Sequence, residues 1–135
     1  MIYLYVAVGG ALGSVARFWV ANTMVILTGP EFPWGTLLIN IIGSFVISFF
    51  GVLAGPGARL GVPYEMRVFV TVGLCGGFTT FSAFSLQTID LIKNGQSSRA
   101  MIYVAASVIL CLGACALGFL AASAMNSGLG PARDS

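Results

Sequence analysis

Histidine is absent from the chain, and only four of its 135 residues are acidic. Glu31, Glu65 and Asp90 stand at the ends of apolar stretches, and Asp134 lies in the C-terminal tail. A proton-coupled pump needs a titratable carboxylate or imidazole inside the membrane, so that class is disfavoured, as is a cation pathway lined by carboxylates. With no nucleophile–base pair and no metal-ligand set, an enzyme has no machinery here. Charged residues make up 7% of the chain and the net charge is +2. No nucleic-acid partner is expected. The three cysteines, Cys75, Cys111 and Cys115, are an odd count inside apolar stretches, which argues against a disulfide framework. Cys111 and Cys115 lie one turn apart and could in principle touch a soft metal. With no imidazole or acid beside them, helix packing is the better reading.

Apolar surface is what the chain has in excess: 58% of its residues are apolar, and the mean hydropathy is +0.99. A soluble domain of this size has no interior to hold that much. Four stretches, about Ile2–Leu27, Trp34–Leu53, Arg67–Leu91 and Ala100–Ala124, reach the roughly 20 residues that a spanning helix needs. The expected fold is therefore an all-α membrane protein with four transmembrane helices and the lipid bilayer as its solvent. One transmembrane domain is expected over residues 1–126, and residues 127–135 read as a disordered tail. The first stretch lacks a positively charged leader and precedes three further spans, so it reads as a retained helix and not a signal peptide.

The basic residues do not choose an orientation. Arg59, Arg67 and Arg133 fall on one side; Lys93, Arg99 and the nearer Arg17 fall on the other. This balance leaves the positive-inside rule with almost no bias. Two readings stay open: a single orientation set by Arg59 and Arg67, or insertion both ways with opposed copies paired about a two-fold axis in the membrane plane.

The third stretch is interrupted by Cys75-Gly76-Gly77-Phe78-Thr79-Thr80-Phe81-Ser82-Ala83-Phe84-Ser85. In hydrocarbon an unpaired backbone group costs several kcal/mol, so irregular backbone persists only when buried in protein or lining a watery cavity. Gly76 lies nine residues past Arg67. That is roughly 14 Å of helix, near the midplane of a hydrocarbon core about 30 Å thick. A helix broken within this stretch, at mid-membrane, points to an ion or substrate site.

Polar residues recur beside it. Thr36, Asn40, Ser44 and Ser48 fall every fourth residue of the second span, and Tyr103, Ser107, Cys111 and Cys115 do so in the fourth. Each set makes one gently rotating stripe. A lone hydroxyl can bond its own helix, but the Asn40 amide has more donors and acceptors than its helix can satisfy. Two stripes beside a broken helix suggest a narrow polar track, with Thr79 and Thr80 adding hydroxyls from the third span. Hydroxyl and amide donors suit an anion. Phe81 and Phe84 can serve it too, because aromatic edges carry partial positive charge, although packing alone accounts for their spacing. Gly9 and Gly13 in the first span, and Gly113, Ala114, Gly118 and Ala122 in the fourth, are small residues suited to close helix contact.

Three motifs, Gly9-Gly10-Ala11-Leu12-Gly13-Ser14-Val15-Ala16-Arg17, Gly35-Thr36-Leu37-Leu38-Ile39-Asn40-Ile41-Ile42-Gly43-Ser44-Phe45 and Gly73 to Ser85, resemble in order and spacing those of the bacterial fluoride channels called Fluc or CrcB proteins. The resemblance covers nearly the whole chain. It implies a passive, fluoride-selective ion channel that lets fluoride out of the cytoplasm, built as an antiparallel, dual-topology homodimer in the bacterial inner membrane. It implies a sodium ion at the dimer centre, held by backbone carbonyls that here belong to Gly76 and Thr79. The ring positions beside the fluoride path fall on Phe81 and Phe84, and the pore amide on Asn40. The fourth-span track falls on Tyr103, Ser107 and Cys111, and a basic residue near the aqueous vestibule on Arg17. Thr80 joins the fluoride pathway through the hydroxyl cluster. The chain departs from the family at Ala83, where Thr is common, at Gln87, where Glu is frequent, and at Cys111, where a hydroxyl is usual.

Two other functions fit the size and span count. A small dual-topology multidrug exporter would want a carboxylate in the first span, which instead holds Arg17. An accessory membrane subunit is opposed only by the central motif.

Overall fold

The computed structural model describes residues 1–58 and 60–128. Helix α1 covers Ile2–Thr28 and α2 covers Trp34–Leu53. The third span is segmented: α3 (Tyr64–Val68), a π-helical stretch (Phe69–Leu74) and α4 (Cys75–Phe78) lead to a break, after which α5 runs over Phe81–Lys93. Helix α6 covers Ser97–Gly128. There is no strand among the described residues. The four spans Ile2–Thr28, Trp34–Leu53, Tyr64–Lys93 and Ser97–Gly128 are each long and apolar enough to cross a bilayer. The chain is a multi-pass, all-helical membrane protein.

The helices form where apolar runs are uninterrupted and stop at turn residues. Gly29 closes α1 at φ +82°, and Gly95 between α5 and α6 takes φ +74°, backbone that a side chain would strain. The Arg99–Glu31 ion pair (3.7 Å) sets the α1–α2 loop beside the start of α6. Helix α6 continues to Gly128, so Ser127 and Gly128 belong to a helix and not to the expected disordered tail. Ser127 Oγ donates to Ser123 O at 3.0 Å, and Asn126 Nδ2 donates to Val52 O at 3.3 Å, which extends the order. The rest of that tail, including Arg133, lies outside the described residues, as does Arg59.

The break lies inside the expected stretch and just past its glycine pair. Gly76 and Gly77 are helical, and the interruption falls at Thr79 (φ −79°, ψ 156°) and Thr80 (φ −153°, ψ 114°). The reason is packing. A Cβ on Gly77 would lie 2.5 Å from Gly10 O, so this glycine serves helix contact with α1 and not unwinding. The location near mid-membrane holds: Thr79 is 15 residues from Tyr64 and 14 from Lys93 in the third span. The π-helical stretch that precedes the break was not expected from the sequence.

Backbone-to-backbone contact ties α1 to the third span. A Cβ on Gly9 would stand 2.6 Å from Phe69 O, and one on Gly13 would strike Leu74 O. Helices α2 and α6 pair in the same manner. Gly118 faces Phe45 O, at 2.5 Å from where a Cβ would stand, and Ala114 and Ala122 are buried. Gly113 does not join them; it is exposed and a Cβ there would meet nothing within 4 Å. Between α2, α5 and α6 the fully buried Tyr103 packs with Leu37, Leu91 and Ala100.

Candidate functional site

The site grows from the break. Thr79 ends α4 by sending both its N–H (2.9 Å) and its Oγ1 (2.8 Å) to Cys75 O. Its methyl turns toward α2, where only a glycine, Gly43, leaves room for it. Thr80 begins α5 as its N-cap: Thr80 Oγ1 accepts the Ala83 N–H at 3.1 Å. Between these two caps, the Asn40 side chain grips the Thr80 peptide at both polar atoms. Asn40 Oδ1 accepts the Thr80 N–H at 2.8 Å, and Asn40 Nδ2 donates to Thr80 O at 3.1 Å.

These bonds decide which carbonyls are free. In a continuous helix the Thr80 N–H would bond Gly76 O, and the Ala83 N–H would bond Thr79 O. Both donors are taken, by Asn40 Oδ1 and by Thr80 Oγ1. The oxygens of Gly76 and Thr79 therefore lose their helical donors at mid-span. A hard cation takes oxygen ligands, so the donor set at these two positions fits one.

The break also borders a groove of about 390 Å³. Asn40 and Ser44 line it from α2, and Ser107 and Cys111 from α6. Thr79, Thr80, Phe81 and Phe84 complete the polar and aromatic wall. The two sequence stripes thus meet in one cavity, though only their middle members reach it; Ser48 and Cys115 do not line it. Ser107 is 7% exposed, and its Oγ finds no hydrogen-bond partner among the described residues. A buried hydroxyl left unpaired costs about 1–3 kcal/mol. Phe84 packs on Tyr103 (5.1 Å between centroids), whereas Phe81 is 77% exposed in the single chain.

Tyr103 lies at one end of the groove and not in its wall. Its hydroxyl donates to Gln87 Oε1 at 2.9 Å. Beyond it is a second cavity of about 330 Å³ at the α1–α2 loop, lined by Thr36, Gln87, Asp90 and Glu31 among others. Phe84 faces one cavity and Gln87 the other, so the Phe84–Tyr103–Gln87 contact forms the partition. Arg17 lines neither cavity. It lies one turn deeper on the α1 stripe, Ala21 and Met24, that walls the outer one. Gln87 is the residue that sequence reasoning undervalued: it stood only as a departure from a pattern, although its spacing of three from Phe84 sets both on one face of α5.

Residues 4–119 match the family described as "CrcB-like protein, Camphor Resistance (CrcB)". The chain belongs to it. Among the CrcB-like relatives, one from Methylocella silvestris is 52% identical over 126 residues, 93% of this chain and 96% of the relative. One from Gluconobacter oxydans is 55% identical, covering 93% of this chain and 87% of the relative. One from Rhodospirillum rubrum is 49% identical over 129 residues, 96% of this chain and all of the relative. Each is named "Fluoride-specific ion channel FluC".

Replacing Tyr103 with Phe tests the partition. The ring contacts with Phe84 and Phe32 stay, and only the hydroxyl to Gln87 is lost. Thermal unfolding should change by only about 1 kcal/mol, while anion flux through reconstituted protein should fall several-fold. Unchanged flux would make the hydroxyl a packing feature.

Proposed function

We propose that this CrcB-like chain is a fluoride-selective ion channel that lets fluoride leave the cytoplasm passively. The observation that carries the proposal is the groove at the helix break, which Ser107, Asn40, Phe81 and Phe84 line together, with the Ser107 hydroxyl buried and unpartnered among the described residues. A dehydrated small anion needs dense donors to replace its water. Hydroxyls of Ser107, Ser44 and Thr80, and the second hydrogen of Asn40 Nδ2, supply them. The edges of Phe81 and Phe84 add partial positive charge without a mobile counter-ion that would hold the anion too tightly. Cys111 offers a weaker donor at the same wall. Tyr103 would hand the ion between groove and outer cavity, and Arg17 would raise the local potential for anions.

The working unit is an antiparallel homodimer of dual topology in the bacterial inner membrane. Two features support it: the near balance of basic residues between the two sides, and the exposure of Phe81 and Gly76 on the single chain. The freed carbonyls of Gly76 and Thr79, doubled by symmetry, would hold a sodium ion at the dimer centre. That ion, when bound, supplies a fixed positive charge and satisfies carbonyls otherwise left without donors.

The test is anion efflux from liposomes holding the purified protein, with fluoride and chloride compared under a potassium/valinomycin clamp. Fast loss of fluoride with chloride retained is the expected result. Retention of both anions would overturn the channel reading.

A further inference from the structure

Asn40 faces the groove, yet both of its polar atoms are bonded to the backbone of the break. From this geometry we infer that Asn40 is a positioning residue for the cation: it holds the Gly76 carbonyl available by taking the Thr80 N–H that a helix would give to Gly76. The inference rests on the sodium reading above and adds to it a side chain outside the carbonyl set.

Three observations carry it. First, Thr80 is extended, with φ −153° and ψ 114°. Extended backbone needs lateral partners, as a strand does, and the Asn40 amide presents one acceptor and one donor like a neighbouring peptide group. Because one partner is an N–H and the other a carbonyl, the orientation of the amide is dictated. Second, Thr80 is only 8% exposed. Within the protein, an N–H that loses Asn40 has one helical alternative, the Gly76 oxygen four residues back. Taking it would extend α4 by a residue and turn that oxygen into a helical acceptor. Third, the other carbonyl is protected by a separate device, the Thr80 Oγ1 cap on Ala83 N–H. Loss of Asn40 therefore removes the Gly76 oxygen from each copy's contribution and spares Thr79.

The consequence is a shared part. One side chain forms the wall of the anion groove and sets the ligand geometry of the cation, so the two ions are coupled through Asn40.

The experiment reads sodium dependence and not flux. Thermal unfolding of the detergent-purified full chain is followed as sodium chloride replaces N-methylglucamine chloride at constant ionic strength. The wild-type protein should be stabilised by sodium. Asn40→Leu should raise the sodium concentration for half-maximal stabilisation by at least tenfold, and Asn40→Ala, too short to reach Thr80, should do the same if the leucine variant does not fold. Asn40→Asp keeps an acceptor for the Thr80 N–H in either protonation state, so its sodium response should stay within about threefold of wild type. A merely structural role would lower stability in all three variants while leaving the sodium midpoint in place, and that outcome overturns the inference while leaving the sodium reading intact. A wild-type protein indifferent to sodium overturns both.

Discussion

Gly13→Ala should cost the protein about 3 kcal/mol of stability, although it adds a single methyl group. A Cβ at this position would run into Leu74 O and would lie 2.8 Å from Phe78 N and 3.1 Å from Gly77 C. All three neighbours are backbone, so no side chain can rotate away. Relief requires α1 and the third span to separate, and that separation would also open the Gly9–Gly73 and Gly10–Gly77 contacts along the same seam. In lipid, van der Waals packing at such seams is what associates helices. Overpacking costs about 1–3 kcal/mol and more when the backbone must shift, and the upper end is expected here. Gly113→Ala is the matched comparison, since a Cβ there meets nothing within 4 Å. Thermal unfolding and size-exclusion profiles should show Gly13→Ala lowered in yield and stability, with Gly113→Ala close to wild type. Equal behaviour of the two would mean that the seam is looser than drawn.

Phe84→Ile should reduce fluoride flux by at least about tenfold, the factor that about 1.4 kcal/mol at a barrier imposes. Isoleucine keeps the apolar bulk against Tyr103 and removes the ring edge. Phe84 is the stronger of the two aromatic tests because its ring is held on two sides, by Phe81 at 5.3 Å and Tyr103 at 5.1 Å. Its orientation in the groove is therefore built in, whereas Phe81 is exposed on the single chain. A desolvated anion has no water to compensate the lost edge. The measurement is the liposome efflux assay with the elution volume of the variant checked beside it. Flux equal to wild type, with the protein intact, would assign Phe84 to packing against Tyr103 alone.

Much of this was legible in the chain. Spans need only length and apolar content, so all four appear in the sequence near their true limits, and Trp34–Leu53 coincides with α2. The polar stripes follow from the helical repeat, which is a local property. Their meeting is not local. Which of the eight striped residues reach the groove depends on how α2, α6 and the break cross, and only Asn40, Ser44, Ser107 and Cys111 do. The exact residues of the break within Cys75–Ser85 were not legible either. Glycine propensity points at Gly76-Gly77, but propensity is overridden when the same missing side chain is needed for a close contact with Gly10.

The composition by itself determined that the chain crosses a membrane four times, because no other solvent accommodates that apolar surface. The motif spacing determined its family resemblance and the residues to watch. Tertiary structure alone decided what Asn40 does. An amide 40 residues away in sequence takes the hydrogen bond that would have continued a helix, and so frees a carbonyl at mid-membrane. Hydrogen-bond partners across spans are chosen by three-dimensional proximity, and periodicity within a single helix carries no record of that choice.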